Sequence, residues 1–179
     1  MSKSVLISIR PKWCEKIASG EKTIEVRKTR PKLETPFKCH IYCTKDGDPR
    51  RLVGERGKVI GEFVCDDIFE RIVQVGTNCQ TPKYCLCDWN MDCTPLDWVL
   101  SDACLTLDEL EKYLDGGVGY GWHISDLKIY DTPKELSKFS RPFENCIDKV
   151  CDEFGCASCE NGGHIKRAPQ SWGYVEELP

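Results

Sequence analysis

The sequence predicts an α+β fold with a barrel or a strongly bent sheet. Short strand-like segments recur along the chain, whereas only two segments have the residue spacing of an amphipathic helix. The 179 residues are 40% apolar and 30% charged, as in an ordinary globular protein. This length suits one domain that carries an insertion, and we therefore predict a single domain over residues 1–179.

The first elements are a strand, a helix and a strand. Residues 5–9 have strand-like alternation, and Pro11 presets the backbone at the start of a helix over residues 11–19. Gly20 is placed to end that helix. In the next strand, over residues 22–28, apolar side chains occupy one face and Thr23, Glu25 and Arg27 the other.

The remaining elements follow from local signals. A second helix is predicted at 105–114, because Thr106 and Glu109 form a capping box and three leucines line one side, namely Leu107, Leu110 and Leu114. Gly116 and Gly117 end it. Four further strands are predicted, at residues 38–43, 58–64, 121–130 and 171–178.

Charge is distributed unevenly along the chain. The net charge is −4, yet residues 1–58 hold 15 lysines and arginines against 7 acidic residues, and residues 59–179 hold 10 against 22. Clustered cations concentrate positive potential, so the first third predicts an anion-binding face. The alternative is a set of solvated surface lysines.

The densest group of charged side chains lies at residues 20–27, Gly-Glu-Lys-Thr-Ile-Glu-Val-Arg. On a strand, Glu25 and Arg27 project from one face roughly 7 Å apart, with Lys22 beside them. The guanidinium offers two parallel donors to a phosphate, the ammonium adds a point charge, and the carboxylate orients either. The segment predicts a mixed-charge binding site, the alternative being an ordinary solvent-facing strand.

This segment resembles the signature of the ASCH domain family. The pattern Gly-x-Lys-x-x-Glu-x-Arg follows a short helix that begins with Ile-Arg-Pro-Lys-Trp. The resemblance extends through Gly-Glu-Phe at 61–63, the second helix, Gly-Trp-His-Ile-Ser at 121–125 and Pro-Gln-Ser-Trp-Gly-Tyr-Val-Glu at 169–176. This ending is similar to bacterial and prophage members of the family.

The resemblance implies a PUA-like β-barrel with two main helices, whose cleft binds RNA or a nucleotide. The cleft residues carry over as Lys22, Glu25 and Arg27. Four nearby cations extend the rim of the cleft that faces the phosphates, namely Arg10, Lys12, Lys28 and Arg30. Three tryptophans offer surfaces on which bases can stack, namely Trp13, Trp122 and Trp172. The alternative for each tryptophan is a core position, and we interpret His123 as a structural histidine.

An enzymatic interpretation stays open beside the binding interpretation. Some relatives in the family resemble amidohydrolases of acetylated cytidine, in which a threonine nucleophile occupies the position of Glu25. Others resemble ribonucleases. The alternative function is therefore a hydrolase acting on RNA or a modified nucleoside through Lys22, Glu25 and Arg27, with Glu25 as a general base.

The 13 cysteines are predicted to be reduced thiols, because their number is odd and the start of the sequence does not resemble an export signal. We expect a cytoplasmic protein without a membrane segment, and the sequence makes no prediction of oligomeric state. Cys39, Cys43 and Cys65 lie in strand-like segments, where a free cysteine behaves as a small buried apolar residue.

Two cysteine groups are candidate metal ligands. A Cys-rich insertion at about 141–168, before the final strand, predicts a structural zinc ion on four thiolates, those of Cys146, Cys151, Cys156 and Cys159. A second, looser group consists of Cys79, Cys85, Cys87 and Cys93. For this group zinc, free thiols and partial oxidation are all open.

Overall fold

The computed structural model describes residues 3–45, 56–75, 83–87, 93–142 and 164–177. These residues form eleven strands, three α-helices and one 3₁₀ turn at Leu136–Lys138. The helices are α1 (Pro11–Ala18), α2 (Asp97–Asp102) and α3 (Leu107–Leu114). The strands are β1 (Ser4–Ile9), β2 (Ile24–Arg27), β3 (Phe37–Cys43), β4 (Val59–Cys65), β5 (Ile68–Val75), β6 (Lys83–Cys87), β7 (Cys93–Thr94), β8 (Gly119–His123), β9 (Ser125–Lys134), β10 (Phe139–Ser140) and β11 (Trp172–Glu177).

The strands form two sheets, and the mixed helix and strand content agrees with the predicted class. One sheet has the order β10-β11-β1-β3-β4-β9 and the other β2-β8-β5-β6-β7. The predicted barrel is not found as a closed ring of strands within the described ranges. The predicted count of two main helices is also wrong, since α2 is a third; it is one and a half turns long and its N-cap makes no side-chain hydrogen bond.

The chain divides into two compact units. The first unit contains Met1–Cys14, Lys38–Phe63 and Leu127–Pro179. Its core packs on the six-stranded sheet, in which β1 pairs parallel with β3 and antiparallel with β11. Its buried cluster comprises Leu6, Tyr42, Val59, Phe139 and Val175.

The second unit contains Glu15–Phe37 and Val64–Asp126. Its core joins one face of β2 to α2 and α3. The buried cluster comprises Ile24, Val26, Ile72, Tyr84, Leu96, Val99, Ala103, Leu110 and Leu114. Because Ile24 and Val26 face this core, the alternation of the strand sends Glu25 and Arg27 to the other face.

Both predicted helices are found, although α1 ends one residue earlier and α3 begins two residues later than predicted. Gly20 has a φ of 78°, a conformation that glycine adopts without strain and that ends α1. At α3, Thr106 accepts from the backbone of Glu109, and the Glu109 carboxylate accepts from the backbone of Thr106. The predicted apolar side is wrong at Leu107, which is 41% exposed. No helix in the described part of the chain has both the length and the apolar character needed to cross a membrane.

The cysteines divide into several groups. Cys39, Cys43 and Cys65 are buried thiols, as predicted. Cys87 and Cys93 form a disulfide between β6 and β7, so the prediction of reduced thiols is wrong for this pair. The four cysteines of the proposed zinc site lie outside the described residues, as does Cys79, and zinc there stays a prediction.

Candidate site on strand β2

Three charged side chains of the second unit converge beside β2, on the face opposite the core formed by Ile24 and Val26. Glu25 Oε2 lies 3.2 Å from Lys22 Nζ, and Glu25 Oε1 lies 3.0 Å from Arg27 Nη2. The strand places Glu25 and Arg27 two residues apart on one face, and β8 fixes this register because Glu25 pairs with Trp122. The predicted neighbourhood of these three residues is therefore present as a carboxylate that bridges two cations.

Lys22 anchors this group internally. Its side chain is 2% exposed, and its ammonium donates to the carbonyl oxygens of Ile24 and Ala103, each at 2.8 Å. Together with Glu25 these contacts occupy the three donors that an ammonium offers. Lys22 therefore orients Glu25 and joins β2 to the end of α2. It is not free to bind a ligand without losing one of these contacts.

The Arg27 end of the group is bordered by an aromatic ring. Tyr113 of α3 is 38% exposed, and Lys28 Nζ lies 5.5 Å from the centroid of its ring. Burial raises the pKa of the Tyr113 phenol, and the neighbouring Arg27 guanidinium opposes that shift. The sequence analysis did not select Tyr113. Its position between Leu110 and Leu114 marks it only as one more residue of an amphipathic helix.

The remaining predicted residues have different environments. Trp122 is fully buried against Phe37, with ring centroids 5.9 Å apart, so it belongs to the core and presents no face for the stacking that we predicted. In the first unit, Trp172 is half-buried and packs edge to face on Tyr174. Also in that unit, Lys12 Nζ lies 4.2 Å from the ring centroid of the half-buried Trp13, beside the exposed Arg10.

His123 has a polar partner and is partly open to solvent. Its Nδ1 lies 2.6 Å from Asp66 Oδ1, and the two side chains are 37% and 45% exposed. The hydrogen bond from His123 lowers the pKa of the Asp66 carboxyl. Phe69 packs against the imidazole edge to face and contacts the exposed Trp98 in the same way. A histidine oriented by a carboxylate is an arrangement that accepts and donates protons in catalysis.

The first unit has a basic surface of its own. An open groove of about 990 Å³ is lined by Lys45, Lys166 and Arg167, together with the hydroxyl-bearing side chains of Ser8 and Tyr42. Lys166 and Arg167 come from the acidic part of the sequence, so the count over residues 1–58 did not predict them. The groove is a second surface on which an anion can be bound.

No family model matches the chain, and no curated protein matches it. Among solved structures, the chain is similar to the crystal structure of ASCH from Zymomonas mobilis, with 20% sequence identity, a TM-score of 0.49 and coverage of 74% of this chain and 73% of that one. It is also similar to two single-substitution mutants of that protein, one tyrosine-to-phenylalanine and one serine-to-alanine, again at 20% identity and a TM-score of 0.49. Coverage is 75% of this chain and 77% of that chain for the phenylalanine mutant, and 74% of each chain for the alanine mutant.

Proposed function

We propose that this protein is an RNA- or nucleotide-binding domain of the ASCH type, and that a surface of its second unit makes the contacts. This surface, the β2 surface, consists of Arg27, Lys28 and Tyr113. The observation that carries the proposal is the bridging of Lys22 and Arg27 by Glu25. The resemblance of the sequence around these residues to the ASCH signature supports it independently.

The bridge supports anion binding through its charge and its rigidity. Two cations and one carboxylate carry a net positive charge, and the Glu25 and Arg27 side chains are each 9% exposed. Charges screened from bulk water attract an anion more strongly than the same charges in solution. Because Glu25 and the strand fix the guanidinium, little conformational freedom is lost when a phosphate binds.

Lys28 and Tyr113 extend this site with the two other interactions that RNA requires. The exposed lysine offers a point charge to a second phosphate, and the partly exposed ring of Tyr113 offers a face to an unpaired base. A base stacked on an aromatic side chain contributes about 1–3 kcal/mol. The pattern of two phosphates and one base suits a short single-stranded segment or a nucleotide.

Fluorescence anisotropy with a labelled single-stranded RNA of about 12 nucleotides tests the proposal. Tyr113→Leu should weaken binding by about 5- to 150-fold because the stacking face is lost, whereas Tyr113→Phe should bind nearly as well as the wild type. The matched control is Lys112→Met. Lys112 is exposed on the same helix, but its side chain projects about 100° away from that of Tyr113, so its loss should change affinity little.

Two outcomes contradict the proposal. Equal affinities of wild type and Tyr113→Leu, with both proteins folded, would remove the β2 surface from the binding site. Equal losses in Tyr113→Leu and Lys112→Met would show that binding follows the overall charge and integrity of α3 and not the aromatic face.

The hydrolase alternative is better supported through His123 than through Glu25. Each Glu25 oxygen is already paired with a cation, so contact with a substrate proton would disturb one of these two ion pairs. His123 is oriented by Asp66 at 2.6 Å and is partly exposed. If the wild type converts RNA or a modified nucleoside, His123→Ala should lower turnover by about 100-fold or more and leave anisotropy-measured affinity nearly unchanged. A wild type without turnover on these substrates rejects this alternative for them.

A further inference from the structure

His40 of the first unit is a buried imidazole whose protonation is fixed by its neighbours. The side chain is 1% exposed, and Nε2 lies 3.2 Å from Ser4 Oγ. The Ser4 hydroxyl has one hydrogen, which it donates to the carbonyl oxygen of Val175 at 3.1 Å. Ser4 Oγ can therefore only accept from His40, so Nε2 carries the proton and Nδ1 of the neutral ring carries a lone pair.

The Nδ1 lone pair points toward two carboxylates. Glu62 Oε2 lies 3.7 Å from Nδ1, beyond hydrogen-bonding distance, and ligand atoms of His40, Glu62 and Glu177 all lie within 4.8 Å of one another. Nδ1 has no hydrogen-bond partner in the described part of the chain. A cation among the three groups would relieve the repulsion between this lone pair and the two carboxylates.

Three strands of the six-stranded sheet hold these donors on one face. Ser4 pairs with Val175, and Glu177 follows Val175 by two residues, while Leu6 pairs with His40. Side chains two residues apart on a strand share a face, so Glu177 and His40 flank Ser4 from β11 and β3, and Glu62 follows on β4. Donors placed on strands of one sheet keep their geometry better than donors on loops.

We propose that His40, Glu62 and Glu177 bind a divalent transition-metal ion. One imidazole and two carboxylates are a donor set used for Zn²⁺, Mn²⁺ and Fe²⁺. Metal bonds of about 2.1 Å place tetrahedral ligand atoms about 3.4 Å apart, so donor atoms that are now up to 4.8 Å apart must approach one another by up to about 1.4 Å. Flexible glutamate side chains provide that movement.

The surroundings match those of a metal site. Ser4 orients the ring through the nitrogen that does not face the carboxylates, and the Tyr130 hydroxyl donates to Glu62 Oε2 at 2.6 Å. Such outer contacts position metal ligands. Phe139 packs on the imidazole with ring centroids 4.8 Å apart, whereas the Glu62 and Glu177 side chains are 18% and 30% exposed. The site is therefore closed by an apolar ring on the side of His40 and is partly open to solvent on the side of the two glutamates. Three protein donors leave coordination positions on the metal for water or a phosphate oxygen.

Two lysines compete with the metal for the same carboxylates. Lys38 Nζ lies 3.3 Å from Glu62 Oε1, and Lys134 forms an ion pair with Glu177. A metal ion at Glu177 displaces the Lys134 ammonium or holds it nearby at a cost in repulsion. We therefore expect Lys134→Met to strengthen metal binding and Glu177→Gln to weaken it.

Titration with Mn²⁺ tests the proposal. The 179-residue protein is first reduced and freed of metal by chelation, and the electron paramagnetic resonance signal then measures how much Mn²⁺ stays unbound. Mn²⁺ is the probe because it binds oxygen and imidazole donors, whereas thiolates select softer metals. We expect one ion per chain, at least tenfold weaker binding in Glu177→Gln and in Glu62→Gln, and about tenfold tighter binding in Lys134→Met. The matched control is Asp66→Asn, which removes an exposed, histidine-bonded carboxylate of the second unit and should bind as the wild type does.

Two further measurements keep the result decisive. Circular dichroism establishes that each variant is folded, and electron spin echo modulation from a coordinated nitrogen should appear in wild type and vanish in His40→Gln. The proposal is overturned by the absence of saturable Mn²⁺ binding at millimolar concentration, by unchanged affinity in both folded glutamate variants, or by bound Mn²⁺ without a coordinated nitrogen. A loss in Asp66→Asn equal to that in Glu177→Gln would also overturn it.

Discussion

Glu25 neutralises a lysine that has almost no access to water. The Lys22 side chain is 2% exposed, and Glu25 is its acidic partner at 3.2 Å. Removing one member of a buried pair leaves an uncompensated charge, so Glu25→Ala should lower the free energy of unfolding by about 3–5 kcal/mol. Glu25→Gln should destabilise less, because its amide oxygen still accepts from one cation while its NH₂ group faces the other. Urea denaturation measures both.

The matched control for Glu25 is Glu21. Glu21 pairs with Lys16 at 3.0 Å, but its side chain is 60% exposed and water replaces the lost contact. Glu21→Ala should therefore leave the urea midpoint almost unchanged. Equal shifts in Glu21→Ala and Glu25→Ala would contradict the description of the Lys22 pair as a buried one.

Because of Cys65, the free energy of unfolding should fall at alkaline pH. Burial raises the pKa of its thiol to about 12, whereas the pKa in the unfolded chain is near 9. The unfolded state therefore loses this proton first. The contribution of Cys65 to stability is complete below about pH 9 and is lost as pH rises toward 12, at up to about 1.4 kcal/mol per pH unit.

Comparison with Cys65→Ala isolates this effect from other groups that titrate at high pH. Between pH 8 and pH 10.5 the free energy of unfolding should fall more steeply in the wild type than in the variant, although the variant is less stable at pH 8 because it loses packing. Parallel curves for the two proteins would contradict a raised pKa for this thiol.

Helix α3 depends on its N-terminal capping box and presents Tyr113. Thr106→Ala removes the side chain that accepts from the Glu109 backbone, so we expect a loss of about 1 kcal/mol in the free energy of unfolding. Thr106→Ser keeps the acceptor and should lose much less. Thermal denaturation of the two variants measures the difference, and equal losses would show that the threonine methyl group matters more than its hydroxyl.

The elements with complete local signals could be predicted from sequence. The ends of α1 and α3 follow from Pro11, Gly20 and the Thr106 capping box, and the alternation at Ile24 and Val26 gives the core face of β2. Helix α2 could not be predicted in the same way, because its six residues carry no side-chain cap and are held by packing of Val99. Intrinsic helix preference is too weak to define so short an element.

The parts of the β2 site that depend on tertiary pairing were not accessible from sequence. The alternation of the strand places Glu25 beside Arg27, but the burial of Lys22 depends on the Ala103 carbonyl, 81 residues away. Trp122 is buried because β8 pairs with β2 opposite Glu25. Tyr113 enters the site only because α3 packs on the same unit. Each of these contacts joins two segments that are far apart in the sequence, and nothing in either segment indicates that it packs against the other.

On the scale of the molecule, the basic first third of the sequence is shared between two units. Residues 15–37 belong to the second unit, whereas residues 1–14 and 38–63 belong to the first. The sequence count of +8 is therefore a sum over cations that belong to both units. The second unit contains the β2 surface, and the first unit contains the groove lined by Lys45, Lys166 and Arg167.

Salt dependence of RNA binding distinguishes these two surfaces. Each phosphate contact by a lysine or arginine releases counterions, so its loss reduces the slope of log affinity against log salt by about 0.7 for a single strand. If RNA binds the β2 surface, Lys28→Met should reduce the slope by about this amount, and Lys166→Met and Arg167→Met should not. Anisotropy titrations from 50 to 300 mM KCl measure all three slopes. The reverse result, a reduced slope in the Lys166 and Arg167 variants and an unchanged one in Lys28→Met, would move the RNA site to the groove of the first unit and overturn the proposed role of the β2 surface.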